Sequence, residues 1–203
     1  MMRCMRWPAV VLPLLLAACA TTPQVRIKAD ASLLRAQVAR EQQLAGADHW
    51  TLQGRLGVSN GKDGGSGSFS WTQNGDRYEF VLRGPSISGA NFRLSGGPDG
   101  ALLEGLKGGP LRGPDSETLM HEALGWEVPL RDLRAWVLGL RADSGPAELV
   151  FGEDRLPLLL QQDGWTVNYR EWDASHQPPL PKKVYAGKSP YKVKISIESW
   201  QFR

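Results

Sequence analysis

The chain of 203 residues carries 24 basic and 21 acidic side chains, a formal net charge of +3. Arg3 and Arg6 lie in residues 1–18, which contain no acid, so the rest of the chain is almost neutral, with 22 basic and 21 acidic residues. This balance gives no reason to expect a nucleic-acid partner, and no run of like charges marks a polybasic membrane patch.

The first 18 residues have the order of an export signal. Arg3 and Arg6 precede an apolar stretch from Trp7 to Leu16, shorter than the roughly 20 residues that a helix needs to span a bilayer. Leu16-Ala17-Ala18-Cys19 resembles the lipobox of bacterial lipoproteins, in which the cysteine receives a diacylglycerol before cleavage and becomes the acylated first residue. We therefore expect a cleaved signal over residues 1–18 and a lipid anchor, N-palmitoyl and S-diacylglycerol, on Cys19. An ordinary secreted protein with an incidental cysteine is the alternative.

The cleavage region also bears on compartment and on cysteine chemistry. Cys4 is the only other cysteine and lies in the segment to be removed, so the mature chain cannot form an internal disulfide. Ala20 follows Cys19, whereas in enterobacterial lipoproteins, which this region resembles, an aspartate there retains the protein in the inner membrane. The expected location is the outer membrane, facing the periplasm.

The anchor is followed by a tether and one domain. Residues 19–29 are polar and aperiodic, which favours a flexible tether, and residues 30–203 have the length of a single domain. Asp30 or Ser32 can cap a first helix that ends near Gly46. The apolar residues of this helix fall on one broad face, and Gln and Arg residues lie opposite. The apolar residues are Leu33, Leu34, Val38 and Leu44.

From Trp50 the period changes to two, which predicts strands. Trp50 to Val58 is followed by a turn at Asn60–Gly65 and a returning strand from Ser66 to Trp71. After a turn at Asn74–Asp76, further inward positions are Tyr78, Phe80, Leu82, Phe92 and Leu94, followed by Ala101–Glu104. Short turns between strands predict an antiparallel meander with one apolar and one wetted face.

Two helices interrupt the strands. Asp115 or Ser116 caps the first, whose apolar positions lead to a stop at Gly125, and the second carries apolar residues from Leu130 to Leu140. Such short helices must rest on the sheet. Strand patterns resume with Leu156, Leu158 and Leu160, then with Trp165, Val167 and Tyr169, and finally with Tyr191, Val193, Ile195 and Ile197.

Tryptophan is frequent, with seven of eight in the mature chain. Large rings on inward faces can fill an ordinary core, or they can wall an incompletely filled barrel that holds a ligand. The candidate cavity residues are Trp50, Leu52, Phe69, Trp71, Phe80, Leu82, Phe92, Trp136 and Trp165.

Catalytic patterns are missing from the sequence. His49, His121 and His176 stand far apart without metal-ligand spacing, and Gly64–Ser68 matches neither a nucleophile elbow nor a phosphate loop. We therefore expect no enzyme activity, no metal and no cofactor.

The loop from Gly84 to Ala90 has Ile87 as its only large apolar residue, which could insert weakly into lipid.

Several sequence blocks, in the same order, resemble the LolB family of outer-membrane lipoprotein receptors and insertases. The similarity covers nearly all of the chain from the lipobox to Trp200. The blocks are Trp50–Leu56, Gly65–Trp71, Leu124–Leu130, Trp136–Leu140 and Gly164–Tyr169. The resemblance implies a mainly β fold with a few helices: a half-barrel of about eleven antiparallel strands around a hydrophobic cavity that helices cover, as in LolA and LolB.

The resemblance also implies a function. Such a protein accepts triacylated lipoproteins from the periplasmic carrier LolA and inserts them, without ATP, into the inner leaflet of the outer membrane. The family's protruding leucine follows a proline. Pro85 matches that proline, and Ile87, one residue later than expected, would take the leucine's role. Acylated lipoproteins, a LolA-type carrier and outer-membrane phospholipid are the implied partners, and a monomer is expected.

Two other functions fit the residues without the resemblance. One is a structural lipoprotein that serves an envelope assembly complex. The other is a periplasm-facing binder of small apolar molecules.

Overall fold

The computed structural model describes residues 24–84 and 91–203. Within these ranges the chain forms twelve β-strands and three α-helices. Their bounds in chain order are β1 Ile27–Lys28, α1 Ala31–Leu44, β2 His49–Ser59, β3 Gly64–Asn74, β4 Arg77–Arg83, β5 Phe92–Gly97, β6 Gly100–Glu104, β7 Leu111–Gly113, α2 Ser116–Leu124, α3 Leu130–Trp136, β8 Ala147–Phe151, β9 Pro157–Gln162, β10 Trp165–Asp173, β11 Leu180–Lys188 and β12 Tyr191–Phe202.

The twelve strands form one open antiparallel sheet in the order β1-β8-β9-β10-β11-β12-β2-β3-β4-β5-β6-β7. Strand β12 joins the meanders β2–β7 and β8–β12, pairing with β2 from Lys192 opposite Ser59 to Phe202 opposite Trp50. Because β1 and β7 are left as edges, the sheet is an incomplete barrel. The predicted mainly β, half-barrel architecture is confirmed, with one strand more than the expected eleven.

One face of the sheet, called here the inner face, carries the hydrophobic core. Alternation along each strand places the large apolar residues on this face, and the antiparallel register aligns them across strands. Phe80, for example, lies opposite Trp71 on β3 and Leu94 on β5. Helices α2 and α3 add Leu119, Met120, Leu133 and Trp136 to the same core. The predicted placement of these helices on the sheet is therefore confirmed.

The helix ends follow the local signals in the sequence. The Asp30 carboxylate accepts hydrogen bonds from the amides of Ser32 (2.7 Å) and Leu33 (2.8 Å), and Asp115 accepts one from the amide of Thr118 (2.7 Å). Gly125 ends α2 with φ of 65°.

In the described parts of the chain, no helix combines the length and the apolar character that crossing a bilayer would require.

Helix α1 buries a different face from the one that its apolar residues predict. Leu34 and Val38 are 41% and 42% exposed, whereas Gln37 and Arg40 are only 2% and 6% exposed. The expected apolar face is therefore only half correct, because Leu33 and Leu44 are buried as predicted. The reason is long-range: Gln37 and Arg40 find carbonyl partners about 100 residues further along the chain.

The sequence pattern did not predict four of the strands, namely β1, β7, β8 and β11. The first two have two and three residues. Strand β11 begins Leu-Pro-Lys-Lys, which breaks alternation where a strand would otherwise be visible. These strands form because neighbours in the sheet offer hydrogen-bonding edges, as β10 and β12 do on either side of β11.

Candidate functional site

The nine residues expected to line a cavity all lie in one buried cluster, eight of them on the inner face of the sheet and Trp136 on α3. None is more than 5% exposed: Trp50, Leu52, Phe69, Trp71, Phe80, Leu82, Phe92, Trp136 and Trp165. In this conformation the side chains pack against one another. The structure therefore places these residues together, and their role as a lining for a ligand stays a prediction.

A continuous series of aromatic contacts crosses the inner face. Trp50 and Trp71 are 5.2 Å apart between ring centroids, Trp71 and Phe80 6.0 Å, and Phe80 and Phe92 6.5 Å. The series ends at Trp126, in the segment between α2 and α3, at 6.2 Å from Phe92. The helical layer thus shares its apolar contacts directly with the rings of the sheet.

We call residues 116–136 the lid, since they comprise α2, α3 and the segment between them. Besides its apolar contacts, the lid is held to the rest of the protein by two ion pairs, Arg134 with Asp76 (3.8 Å) and Glu127 with Lys188 (3.4 Å), while Arg131 with Glu117 (3.8 Å) links α3 to α2 within the lid. At least one partner in each pair is well exposed. Exposed ion pairs contribute about 0–1 kcal/mol each to stability, so these pairs hold the lid only weakly.

A pocket of about 360 Å³ opens beside the lid. It lies between the β3–β4 turn and the first turns of α2 and α3, with Trp71 and Leu130 among its apolar lining. Asp76, Glu117 and Arg134 provide charged groups around it. The pocket therefore connects solvent with Trp71, a member of the aromatic series.

The residues that directly follow the lid are held much more firmly, by α1. The Gln37 amide donates to the Gly139 carbonyl (3.1 Å), and Arg40 Nη2 donates to the Leu138 carbonyl (2.7 Å). Glu41 accepts two hydrogen bonds from the Arg141 guanidinium, from Nε at 2.8 Å and from Nη2 at 2.6 Å. We call these three side chains of α1 the clamp, since together they hold residues 138–141.

The clamp has an unusual electrostatic setting. Burial lowers the pKa of Arg40 to about 10, so its guanidinium is still charged at neutral pH. It lies 4.8 Å from the ring centroid of Trp172, which stabilises the cation, while its Nε and Nη1 have no hydrogen-bond partner. Burial opposes the charge on Glu41, but the hydrogen bonds from Arg141 and Gln37 outweigh it and lower the pKa of Glu41.

The sequence pattern did not reveal the clamp. On a helix, Gln, Arg and Glu are ordinarily solvent-facing residues, and their positions opposite Leu34 and Val38 suggested a wetted face. The available signal was their spacing, because positions 37, 40 and 41 lie on one side of a helix.

Three predicted site residues lie outside the described residues: Cys19, Pro85 and Ile87. The residues that flank the second segment are nevertheless informative. Strand β4 begins at Arg77, beside the pocket, and ends at Arg83, just before that segment. At 3.3 Å per residue, the pocket and the start of the segment are separated by roughly 20 Å along the strand.

The histidines do not form a common site. His49 contacts its neighbour Asp48, and His176 approaches Asp173. Across residues 24–84 and 91–203, no three His, Cys, Asp or Glu side chains are grouped so that they could hold a metal ion.

Sequence comparison places this arrangement in a family. A family model described as "Outer membrane lipoprotein LolB" matches residues 48–200. The chain belongs to the LolB family. It is 37% identical over 183 residues to the outer-membrane lipoprotein LolB of Xanthomonas campestris pv. campestris (strain B100), covering 88% of this chain and 84% of that one. The LolB of Pseudomonas fluorescens (strain Pf0-1) is 36% identical over 165 residues, covering 81% and 80%.

Solved structures support the fold. A LolA superfamily protein from Nitrosomonas europaea has a TM-score of 0.53 at 10% identity, covering 83% of this chain and 93% of that chain. A DUF1329 family protein from Desulfovibrio piger also has a TM-score of 0.53, at 8% identity, covering 84% and 92%. At such identities the likeness concerns the fold alone. As a LolB-family member, the protein is an outer-membrane lipoprotein.

Proposed function

We propose that this outer-membrane lipoprotein accepts triacylated lipoproteins from a LolA-type periplasmic carrier and inserts them into the inner leaflet of the outer membrane. The observation that carries the proposal is the buried apolar inner face beneath a lid that exposed ion pairs hold to the sheet and its turns, in a chain of the LolB family. Acyl chains need such a surface, because each buried CH₂ contributes about 0.8 kcal/mol.

The acyl chains would occupy the inner face and displace the lid. The open pocket of about 360 Å³ is near the lower limit of the roughly 300–1,000 Å³ typical for one small ligand, so three acyl chains require additional space. Moving α2 and α3 would expose Trp71, Phe80 and Phe92 without disturbing the sheet. Lid movement of this kind commonly controls access to a site.

Transfer needs no nucleotide and no catalytic group. Cargo moves from carrier to receiver when the receiver binds it more favourably, and on to the bilayer when the bilayer binds it better still. We accordingly assign no enzymatic step, metal or cofactor to the protein, which would act as a monomer. Its partners would be the carrier, the acylated cargo and outer-membrane phospholipid.

The chain would be organised around its anchor. Residues 1–18 would be removed as a signal peptide, Cys19 would carry the lipid, residues 19–29 would serve as the tether, and residues 30–203 would form the transfer domain. Pro85 and Ile87 would form the loop that contacts lipid during insertion. The apolar side chain of Ile87 matches the family's leucine in chemistry, although it stands one residue later.

A transfer assay tests the proposal. Carrier loaded with fluorescently labelled lipoprotein would be mixed with the protein in a form that lacks the lipid on Cys19, and the two would then be separated by size and charge. The label is expected to appear on the protein, because the inner face binds the acyl chains. Retention of all label on the carrier, by a protein shown to be folded from its circular dichroism, would refute the receptor function.

A further inference from the structure

Helix α1 and the residues before it present apolar side chains to solvent. Among the described residues, five large apolar side chains are well exposed, and three of them belong to this region: Val25, Leu34 and Val38. A single exposed aliphatic side chain needs no explanation. Leu34 and Val38, however, lie one turn apart on the same side of α1 and form a pair. This pair lies in the first long element after the expected anchor.

The surroundings of the pair are positively charged. Arg26, Lys28 and Arg35 are exposed, and Asp30 is the only acid between residues 24 and 40. The Asp30 carboxylate is already engaged in capping α1, while Arg155 adds a further base at that end by donating from Nη2 to the Ser32 hydroxyl (2.9 Å). Arg155 is distant in sequence, so only the folded structure reveals that this base lies at the start of α1.

We propose that this surface, made of Leu34, Arg35 and Val38 with the preceding Val25, Arg26 and Lys28, rests on the periplasmic surface of the outer membrane. The apolar side chains would enter the boundary between headgroups and acyl chains, and the bases would bind the phosphates of anionic phospholipids. Both interactions are typical of interfacial helices. The inference rests on the proposed lipid anchor at Cys19, and not on lipoprotein transfer.

The length of the chain between anchor and helix supports the membrane as the occupant. Cys19 precedes Val25 by six residues, which span at most roughly 20 Å. Val25 therefore always stays near the bilayer, and α1 begins six residues later. The bases Arg26, Lys28 and Arg35 match phosphate groups, and the nearest acids along the chain, Asp30 and Glu41, are engaged in capping α1 and in binding Arg141.

The consequence is a preferred orientation. The lipid on Cys19 already keeps the protein at the membrane, so a second contact through α1 adds little to residence. Because α1 also holds residues 138–141, contact through α1 would bring the segment that follows the lid toward the bilayer.

Single-cysteine labelling tests this contact in the complete lipidated protein. Cys4 is removed with the signal and Cys19 is consumed by lipidation, so a cysteine at position 38 would be the only free thiol. An environment-sensitive dye such as nitrobenzoxadiazole on Val38→Cys should shift to shorter wavelengths in vesicles of phosphatidylethanolamine with phosphatidylglycerol. Because Val38 is exposed, the substitution leaves the core intact.

The matched control is Gln43→Cys, which is exposed on the same helix, about 140° around the axis from Val38. Its dye should remain in water. Equal shifts at both positions would show non-specific adsorption, and no shift at position 38 would show that this side of α1 stays in water. Either result overturns the proposal. Protein that fails to float with the vesicles would instead disprove the anchor, whereas transfer from the carrier is measured separately.

The basic residues provide a second readout. Each base near an anionic surface changes binding about fivefold. Arg35→Gln in the labelled Val38→Cys protein should lower the ratio of lipid-contacting to water-exposed dye by that factor, and added salt should abolish the difference. Lys192→Gln on β12 removes an exposed base elsewhere and should have no effect. A similar loss with both variants would contradict the proposed surface.

Discussion

Gly139 follows the lid by three residues and lies against both the clamp and the sheet. Its φ is 74°, and a Cβ at this position would lie 2.5 Å from Cη2 of Trp172 and 3.2 Å from Nη2 of Arg40. A side chain here would therefore meet both a left-handed backbone and a rigid ring. The absence of a side chain lets the backbone at Gly139 lie against Trp172 and Arg40.

We predict that Gly139→Ala destabilises the protein more than an alanine at another left-handed glycine. The backbone conformation costs about 1–2 kcal/mol, and the overlap with Trp172 adds a further ~1–3 kcal/mol. Gly75→Ala is the control, because its φ is 58° and nothing lies within 4 Å of its Cβ position. Urea unfolding would measure both, and equal losses would mean that Trp172 moves aside freely.

The pair of Glu41 and Arg141 should make stability depend on pH. The native structure lowers the pKa of Glu41 below its ordinary value of 4.5, so its contribution is present above that value and is lost as pH falls through the native pKa. We predict that Glu41→Gln costs about 1–2 kcal/mol at pH 7 and that the difference from the unmodified protein shrinks below about pH 4.5. Urea unfolding across this range would measure it, with the exposed Glu153→Gln as control.

At the level of elements, the lid and the residues that follow it are held with unequal strength. Residues 138–141 are held by the largely buried clamp, whereas Arg134 reaches Asp76 across 3.8 Å in an exposed pair. Buried hydrogen bonds are costly to break, and exposed ion pairs are not. The lid should therefore pivot near residues 137–141 and open at the edge beside the pocket.

A reversible cross-link tests this opening. Cysteines replacing Asp76 and Arg134, joined by a cleavable bismaleimide, should prevent uptake of cargo from the carrier until the linker is cut. The same linker between cysteines replacing Arg77 and Asp99 is the control, since that exposed pair (2.7 Å) involves no lid residue. Cargo uptake at an unchanged rate by the linked lid would show that this edge does not need to open.

At the scale of the whole molecule, uptake and delivery are expected at opposite ends of β4. The pocket lies beside Arg77, and the segment that contains Pro85 and Ile87 follows Arg83. Separate ends allow the carrier and the bilayer to be engaged by different surfaces.

We predict that Ile87→Glu leaves uptake from the carrier unchanged and slows delivery into liposomes. Burial of an isoleucine side chain is worth about 1.5–3 kcal/mol, which corresponds to a rate loss of roughly 10- to 100-fold. Ser86→Glu adds the same charge without removing an apolar group and separates the two effects. Equal delivery by Ile87→Glu and the unmodified protein would remove Ile87 from the mechanism.

The sequence determined the features that depend on neighbours along the chain. Alternating residues identified β2 to β6, and Asp30, Asp115 and Gly125 marked helix ends, because hydrogen bonding at a cap is local. Eight of the nine apolar residues predicted to lie together were found in the same way, since a period of two decides which side chains share a face of the sheet, and Trp136 was found from the helical spacing of α3. The family was also evident from ordered sequence blocks.

Only the tertiary structure decided which side of α1 is buried and which short strands complete the sheet. Gln37 and Arg40 are buried because carbonyls at Gly139 and Leu138 satisfy them, and Leu34 and Val38 are consequently turned to solvent. Strands β1 and β11 form where neighbouring strands supply their hydrogen bonds. A polar group can be buried only when a partner is available, and here the partners of α1 lie about 100 residues away, beyond the reach of any local pattern.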